Sequence, residues 1–287
     1  MRTGIENIIA KLLGDNVQII NTIPLAGGSI NESFKINTNN GVFFIKKNSS
    51  SQFPQMFEKE VSGLKTLRDA NEIIIPKTIG VAESATESFL MLEFIESGTR
   101  VKHFWEIFGN QLANLHNHTS DFFGLEIDNY IGSLQQTNKK HTNWSDFFRE
   151  ERLEKQVILA RNSGLIDKSV VTSFDKFYNH LYDLFPVEPA SLLHGDLWGG
   201  NFMVNEAGLP VIYDPAVYYG HREMDLGMSK LFGGFDEQFY TSYNKHHPLE
   251  NGWEERLDYC NLYPLMVHVN LFGGGYAQSV KSIISKF

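Results

Sequence analysis

The chain has 287 residues, with Lys+Arg 25 against Asp+Glu 34, a net charge of −9, one cysteine and 42% hydrophobic residues. That length allows one large domain or two smaller ones with a proper core, while the acidic balance argues against a nucleic-acid partner, whose phosphates need a basic surface. Lone Cys260 excludes an internal disulfide, no apolar run reaches the length of a membrane span, and the charged N-terminal stretch lacks a signal-peptide core, so the cytoplasm is the expected compartment.

Ile5, Ile8, Ile9, Leu12 and Leu13 recur at helical spacing and predict a short amphipathic helix. The period then changes. VQIINTIPLAGGSINESFKI and VFFIKK read as strands, joined through the turn signal Asn39-Asn40-Gly41. Residues 55–70 return to a helix with Phe57, Val61, Leu64 and Leu67 on one face, and KTIGVA and SFLMLEFI follow as strands. Beyond Gly98 the pattern is mainly helical, over 102–118, 144–163, 167–185, 223–231, 235–245 and 253–272. The exception is SLLHGDL, NFMV and LPVIYD, short strands framing a loop. The expected organisation is a β-rich part over 1–95 and a mainly helical part over 96–287, with a cleft between two lobes.

The strongest chemical signal is LLHGDLWGGNFMVNEAGLPVIYD, residues 192–214. Asp196 and Asn201 share a glycine-containing loop, and a turn at Asn205–Gly208 folds a second strand back so that Asp214 arrives beside Asn201. Asn201 and Asp214 then offer hard oxygen ligands of the kind that suit Mg²⁺, leaving Asp196 to deprotonate a hydroxyl. Alone, such residues merely cap turns. With the flanking strand, the hairpin and the second Asp, the pattern is that of a kinase catalytic loop, residues 194–201, followed by a metal-binding Asp.

Such a site needs a strand Lys paired with a helix Glu. Lys46 and Lys47 alternate on the strand, and alternation alone does not tell which faces the cleft. On the next helix Glu60 lies beside the apolar stripe and Glu58 is turned away, which makes Glu60 the expected partner of Lys46. Gly27, Gly28 and Ser29 lie between two strands where backbone N–H groups could cradle phosphates. The backbone of Glu93 and Ile95 at the junction is the candidate adenine contact. His116 and His118 read as helix-end histidines rather than a metal pair. Asp225 is expected to cap its helix and brace the catalytic loop.

Together Lys46, Glu60, HGD-x-x-x-x-N and Asp214 resemble the small-molecule branch of the protein-kinase-like superfamily, with Gly195 in place of Arg and YDPA in place of DFG. More narrowly, GGSINESFKI, MFEKEVSGL, NYIGSLQQTN, NWSDFFREERLEKQ, LLHGDLWGGN and GHREMDLGM are similar to the fructosamine-3-kinase family. The resemblance implies an α+β, bilobal protein-kinase-like fold. It implies ATP and Mg²⁺ as cofactors, with phosphorylation of the 3-hydroxyl of a ketoamine on a protein lysine or a free amine. The phosphorylated adduct is then shed, which repairs the amine. In that scheme Asp196 is the base, Asn201 and Asp214 hold metal, Lys46 and Glu60 clamp phosphate, and Trp198 and His221 contact substrate. A sibling aminoglycoside or choline kinase, or an inactive relative, is the alternative. The cysteine that some relatives carry in the glycine-rich loop is here Ser29, which puts thiol regulation at that loop in doubt.

Overall fold

The computed structural model of the chain describes residues 4–26, 30–84 and 86–287. The glycine-rich turn at Gly27, Gly28 and Ser29 lies outside the described residues. Helix α1 (Gly4–Leu13) precedes β1 (Ile19–Leu25), β2 (Glu32–Thr38) and β3 (Gly41–Ser49). Then come α2 (Met56–Ala70), β4 (Thr78–Glu83) and β5 (Glu87–Glu93). These five strands form an antiparallel sheet in the order β1-β2-β3-β5-β4. The β2–β3 turn pairs Thr38 with Gly41, as the Asn39-Asn40-Gly41 signal predicts.

The sheet is covered on both faces, and this decides where each β3 side chain points. Phe43 and Ile45 are buried with Ile8 and Ile9 of α1 and with Phe89 and Met91 of β5. Alternation then turns Phe44 and Lys46 to the opposite face, toward α2. Lys47 stays on the α1 side, pairing with Glu32 at 3.3 Å and Glu87 at 3.1 Å.

The remaining chain is mostly helical. It runs through α3 (Phe104–His116), β6 (Thr119–Ser120), β7 (Asn129–Ile131) and β8 (Leu134–Gln136). Next, α4 (Trp144–Phe147) continues through a π-helix, Phe148–Leu153, into α5 (Glu154–Asn162), followed by α6 (Lys168–Tyr178) and α7 (Leu181–Leu184). Strands β9 (Ala190–Leu193), β10 (Phe202–Val204), β11 (Pro210–Ile212) and β12 (Tyr218–Gly220) lead to α8 (Glu223–Lys230). Helices α9 (Glu237–His246), α10 (Trp253–Cys260), α11 (Leu262–Phe272) and α12 (Tyr276–Ile284) end the chain.

Two helices expected to be continuous are split. The 253–272 stretch breaks at Asn261 because Pro264, in the first turn of α11, has no N–H to bond back into α10. The 167–185 stretch stops at Asn179 and resumes at Leu181. Helix α12 and the short strands β6, β7, β8 and β12 go beyond the expected elements. A strand of two or three residues carries no readable alternation.

The sheet and the helices share a core. Met56, Phe57, Leu64 and Leu67 of α2 are buried with Leu90 and Leu92 of β5 and with Phe104, Phe108 and Leu112 of α3, and Phe239 and Tyr243 of α9 join them. Gly109 of α3 lies so close to α9 that a Cβ there would overlap the Phe239 carbonyl oxygen. We therefore expect Gly109→Val to cost about 3 kcal/mol of stability, because backbone rather than a mobile side chain must give way. An unchanged urea midpoint would show that the two helices are not held at this spacing.

Candidate active site

The site forms where the end of β9, the β10–β11 hairpin, β3 and α2 converge. Buried β9 delivers the chain into the 194–201 loop. Gly195 takes φ +82°, and a Cβ there would strike the Ala216 carbonyl oxygen, so a side chain is barred at this position. Phe202 pairs with Ile212 across the hairpin, and the Tyr213 N–H donates to the Asn201 carbonyl at 3.1 Å. That closure sets Asp214 next to Asn201. Asp214 itself is left-handed at φ 56°, an unusual state for a non-glycine residue and one that recurs at functional sites.

Asn201 Nδ2 donates to the Asp196 carbonyl and to Asp196 Oδ2, both at 2.8 Å. Lys46 Nζ donates to Glu60 Oε1 at 2.8 Å and to Asp214 Oδ1. Burial alone would lower the Lys46 pKa, but the Asp214 and Glu60 carboxylates outweigh it and hold the ammonium firmly charged. Desolvation raises Glu60 against the pull of Lys46. Asp196 is pushed up to about 7, first by burial and then by the Asp214 and Asp225 charges, with the Asn201 bond opposing. Its carboxyl is therefore poised where proton transfer at neutral pH is most efficient.

Lys46, Glu60, Asp196, Trp198, Asn201 and Asp214 line one cleft. For a divalent cation the donor set fits: Asn201 spends its amide nitrogen on Asp196 and Asp214 spends one oxygen on Lys46. This leaves Asn201 Oδ1 and Asp214 Oδ2 as hard oxygen donors with no hydrogen bond among the described residues. At the junction, the Glu93 N–H already donates to the Lys77 carbonyl at 2.9 Å, which restricts any base contact there to the Glu93 carbonyl and to Ile95.

His221 corrects the sequence expectation. It has no exposed surface and packs between Trp144 and Phe185, with Nε2 at 3.6 Å from Glu188, so it cannot touch a substrate. The GHREMDL segment is internal support instead. Arg222 forks onto Glu188 at 2.8 and 2.7 Å, and Arg256 forks onto buried Glu223 at 2.9 and 2.6 Å. Asp225, 1% exposed, does not cap α8. It accepts the backbone N–H groups of His194 at 2.7 Å and Gly195 at 2.9 Å, which fixes the start of the catalytic loop.

Sequence reasoning misses the role of His116, which bonds Asp225 at 3.3 Å and the Tyr243 hydroxyl at 2.7 Å and so links the loop to α3 and α9. No spacing could reveal a contact between residues so far apart in the chain. It also misses Lys59, Asn129 and Tyr130, which line the cleft together with Trp198. Trp198 itself meets Phe232 edge-on at 6.0 Å.

A sheet carrying a buried Lys–Glu pair above a loop–hairpin site is the plan of the protein-kinase-like phosphotransferases. One of these is a thermostable mutant of aminoglycoside phosphotransferase APH(4)-Ia in ternary complex with AMP-PNP and hygromycin B. It superposes with a TM-score of 0.63 over 99% of this chain and 98% of that one. At 15% identity this likeness speaks for the fold alone. The fructosamine kinase model matches residues 1–287, and the chain belongs to that family. It is 39% identical to the chloroplastic protein-ribulosamine 3-kinase of Arabidopsis thaliana, over 96% of this chain and 84% of the plant protein. A crystal structure of a candidate fructosamine-3-kinase from Haemophilus somnus superposes with a TM-score of 0.87 at 29% identity, covering 98% of this chain and 96% of the other.

The raised Asp196 pKa also bears on stability. The folded carboxyl holds its proton to about pH 7, whereas an unfolded Asp releases it near 4. Ionisation therefore opposes folding increasingly between those values and by a constant amount above pH 7. Without metal or nucleotide, Asp196→Asn is expected to be more stable than the parent, by an advantage that is small at pH 4, grows to the order of 4 kcal/mol near pH 7 and then levels. Denaturant melts at pH 4, 6 and 8 read this, and an advantage independent of pH would contradict it.

Proposed function

We propose that this protein is an ATP-dependent ketoamine 3-kinase. It would transfer the γ-phosphoryl group to the 3-hydroxyl of ribulosamine, fructosamine or erythrulosamine adducts on protein lysines or free amines. The observation that carries the proposal is the convergence of the Lys46–Glu60–Asp214 ion pair and the Asp196–Asn201 pair on one cleft, in a chain of the fructosamine kinase family.

Phosphoryl transfer needs positioning and charge stabilisation more than covalent chemistry, and the cleft supplies both. Residues 1–95 form the proposed nucleotide-binding lobe and 96–287 the lobe that presents the acceptor. Lys46, held charged by two carboxylates, is assigned the ATP phosphates, with Glu60 fixing its direction. The glycine-rich turn and the backbone of Glu93 and Ile95 are assigned the triphosphate and the base. Asp196 orients the acceptor hydroxyl and takes its proton as the new P–O bond forms, and Asn201 holds the carboxylate in place. Asn201 and Asp214 are the residues that would hold Mg²⁺, which when bound supplies positive charge against the phosphate oxygens. Trp198, 36% exposed at the cleft, offers its indole face to the apolar face of a sugar.

The products are ADP and a 3-phosphorylated adduct whose loss returns the free amine. A cytoplasmic setting accords with the single Cys260, which is a free buried thiol. Among the described residues no helix is long and apolar enough to cross a membrane.

Mg·ATP and a coupled ADP-release assay test the reading with ribulosamine, fructosamine, an aminoglycoside and choline as acceptors. Turnover on a ketoamine followed by loss of the sugar is expected, and turnover confined to the other acceptors would overturn it. In the same assay Lys46→Met should lower kcat by roughly a hundredfold or more, because the phosphate clamp acts in the transition state. Lys47→Met, on the far face of β3, should stay within about twofold of the parent. The reverse order would mean that the wrong strand face has been assigned to ATP.

A further inference from the structure

Apart from the cleft, and among the described residues, His141, Glu150 and Glu151 gather an imidazole and two carboxylates so closely that their nearest donor atoms all lie within 4.8 Å of one another. None of the three lines the cleft. His141 Nε2 is 3.5 Å from Glu151 Oε1 and 3.9 Å from Glu150 Oε2.

Two independent features single the cluster out. The His141 side chain is 10% exposed, yet its Nε2 is buried with no hydrogen-bond partner among the described residues. A buried polar atom left unpaired costs free energy, and here it is aimed between two carboxylates. Secondly, Glu150 and Glu151 sit in the six-residue π-helix Phe148–Leu153. Such widened turns are rare and concentrate at functional sites. This one turns two consecutive carboxylates toward one imidazole.

We propose that His141, Glu150 and Glu151 form a binding site for a divalent cation of the zinc class. Two ligand atoms about 2.1 Å from a tetrahedral ion stand about 3.4 Å apart. The His141–Glu151 spacing already matches that edge. Exposed Glu150, with 49% of its side chain accessible, has the freedom to close the remaining gap. Water would complete the shell. Lys155 bonds the other Glu151 oxygen, Oε2, at 2.9 Å and so leaves Oε1 directed at the site. The backbone frame is rigid, because His141 exchanges both of its backbone hydrogen bonds with Phe123, at 2.9 and 3.0 Å. The ion would staple the 137–143 loop to the π-helix. An imidazole with two carboxylates suits Zn²⁺ or Co²⁺, and an all-oxygen ion such as Mg²⁺ would not compete. The site is thus chemically separate from the cleft.

The test is calorimetric titration of the full chain with Zn²⁺ in the presence of millimolar Mg²⁺, with thermal melts alongside. One ion is expected to bind and to raise the midpoint of unfolding. Both effects should be lost in His141→Ala, and affinity should fall at least tenfold in Glu150→Gln, an exposed change that leaves the fold intact. Co²⁺ should give the visible absorption of a tetrahedral ion in the parent and not in Glu150→Gln. Absence of zinc binding in the parent, or binding unchanged in both variants, would overturn the proposal.

Discussion

The buried ammonium of Lys46 is the interaction on which the molecule's working geometry depends. The groups that meet there come from parts of the chain that have no local reason to meet: β3 supplies the Lys, α2 supplies Glu60 and the β10–β11 hairpin supplies Asp214. Taking that charge out of water is costly, and only two carboxylates at contact distance offset it. The pair therefore acts less as a source of net stability than as a register, since any displacement of the sheet over the hairpin leaves a buried charge unpaired. Closing the sheet onto the helical region and assembling the site are the same event.

A second constraint works from below. The 194–201 loop begins with two backbone N–H groups, those of His194 and Gly195, both bound by Asp225. That carboxylate is held by His116, which is held by Tyr243. Through this chain the packing of α3 on α9, close enough to demand glycine at position 109, is transmitted to the residue two places before Asp196. The buried Arg256–Glu223 and Arg222–Glu188 forks fix α8 in turn. A site that must place a carboxylate to a fraction of an ångström is thus mounted on elements that cannot shift independently.

The electrostatics of the cleft follow from the same crowding. Asp196, Asp214 and Asp225 lie near one another, so burial and the two neighbouring charges drive the Asp196 carboxyl toward neutrality. Carboxylates of one chemistry are thereby given different duties by position. This accumulation of like charge destabilises the empty site, and a bound cation would relieve it.

The amino-acid sequence by itself determined whatever depended on neighbours in the chain. The β2–β3 hairpin is legible from Asn39-Asn40-Gly41, helix α2 from its apolar stripe, and the meeting of Asn201 with Asp214 from one strand–turn–strand pattern, because each is a local consequence of periodicity and turn chemistry. Even the pairing of Lys46 with Glu60 rather than Glu58 is favoured by helical phase alone. The tertiary structure decided the rest. It chose Lys46 over Lys47 because α1 covers the face that holds Phe43 and Ile45, a fact about packing that alternation cannot contain. It moved His221 from the substrate to the interior, recruited His116 beneath Asp225, and gathered His141 with Glu150 and Glu151 across a π-turn. Each of these depends on which surfaces meet when distant segments bury their apolar faces, and that information resides in the whole chain's packing rather than in any window of it.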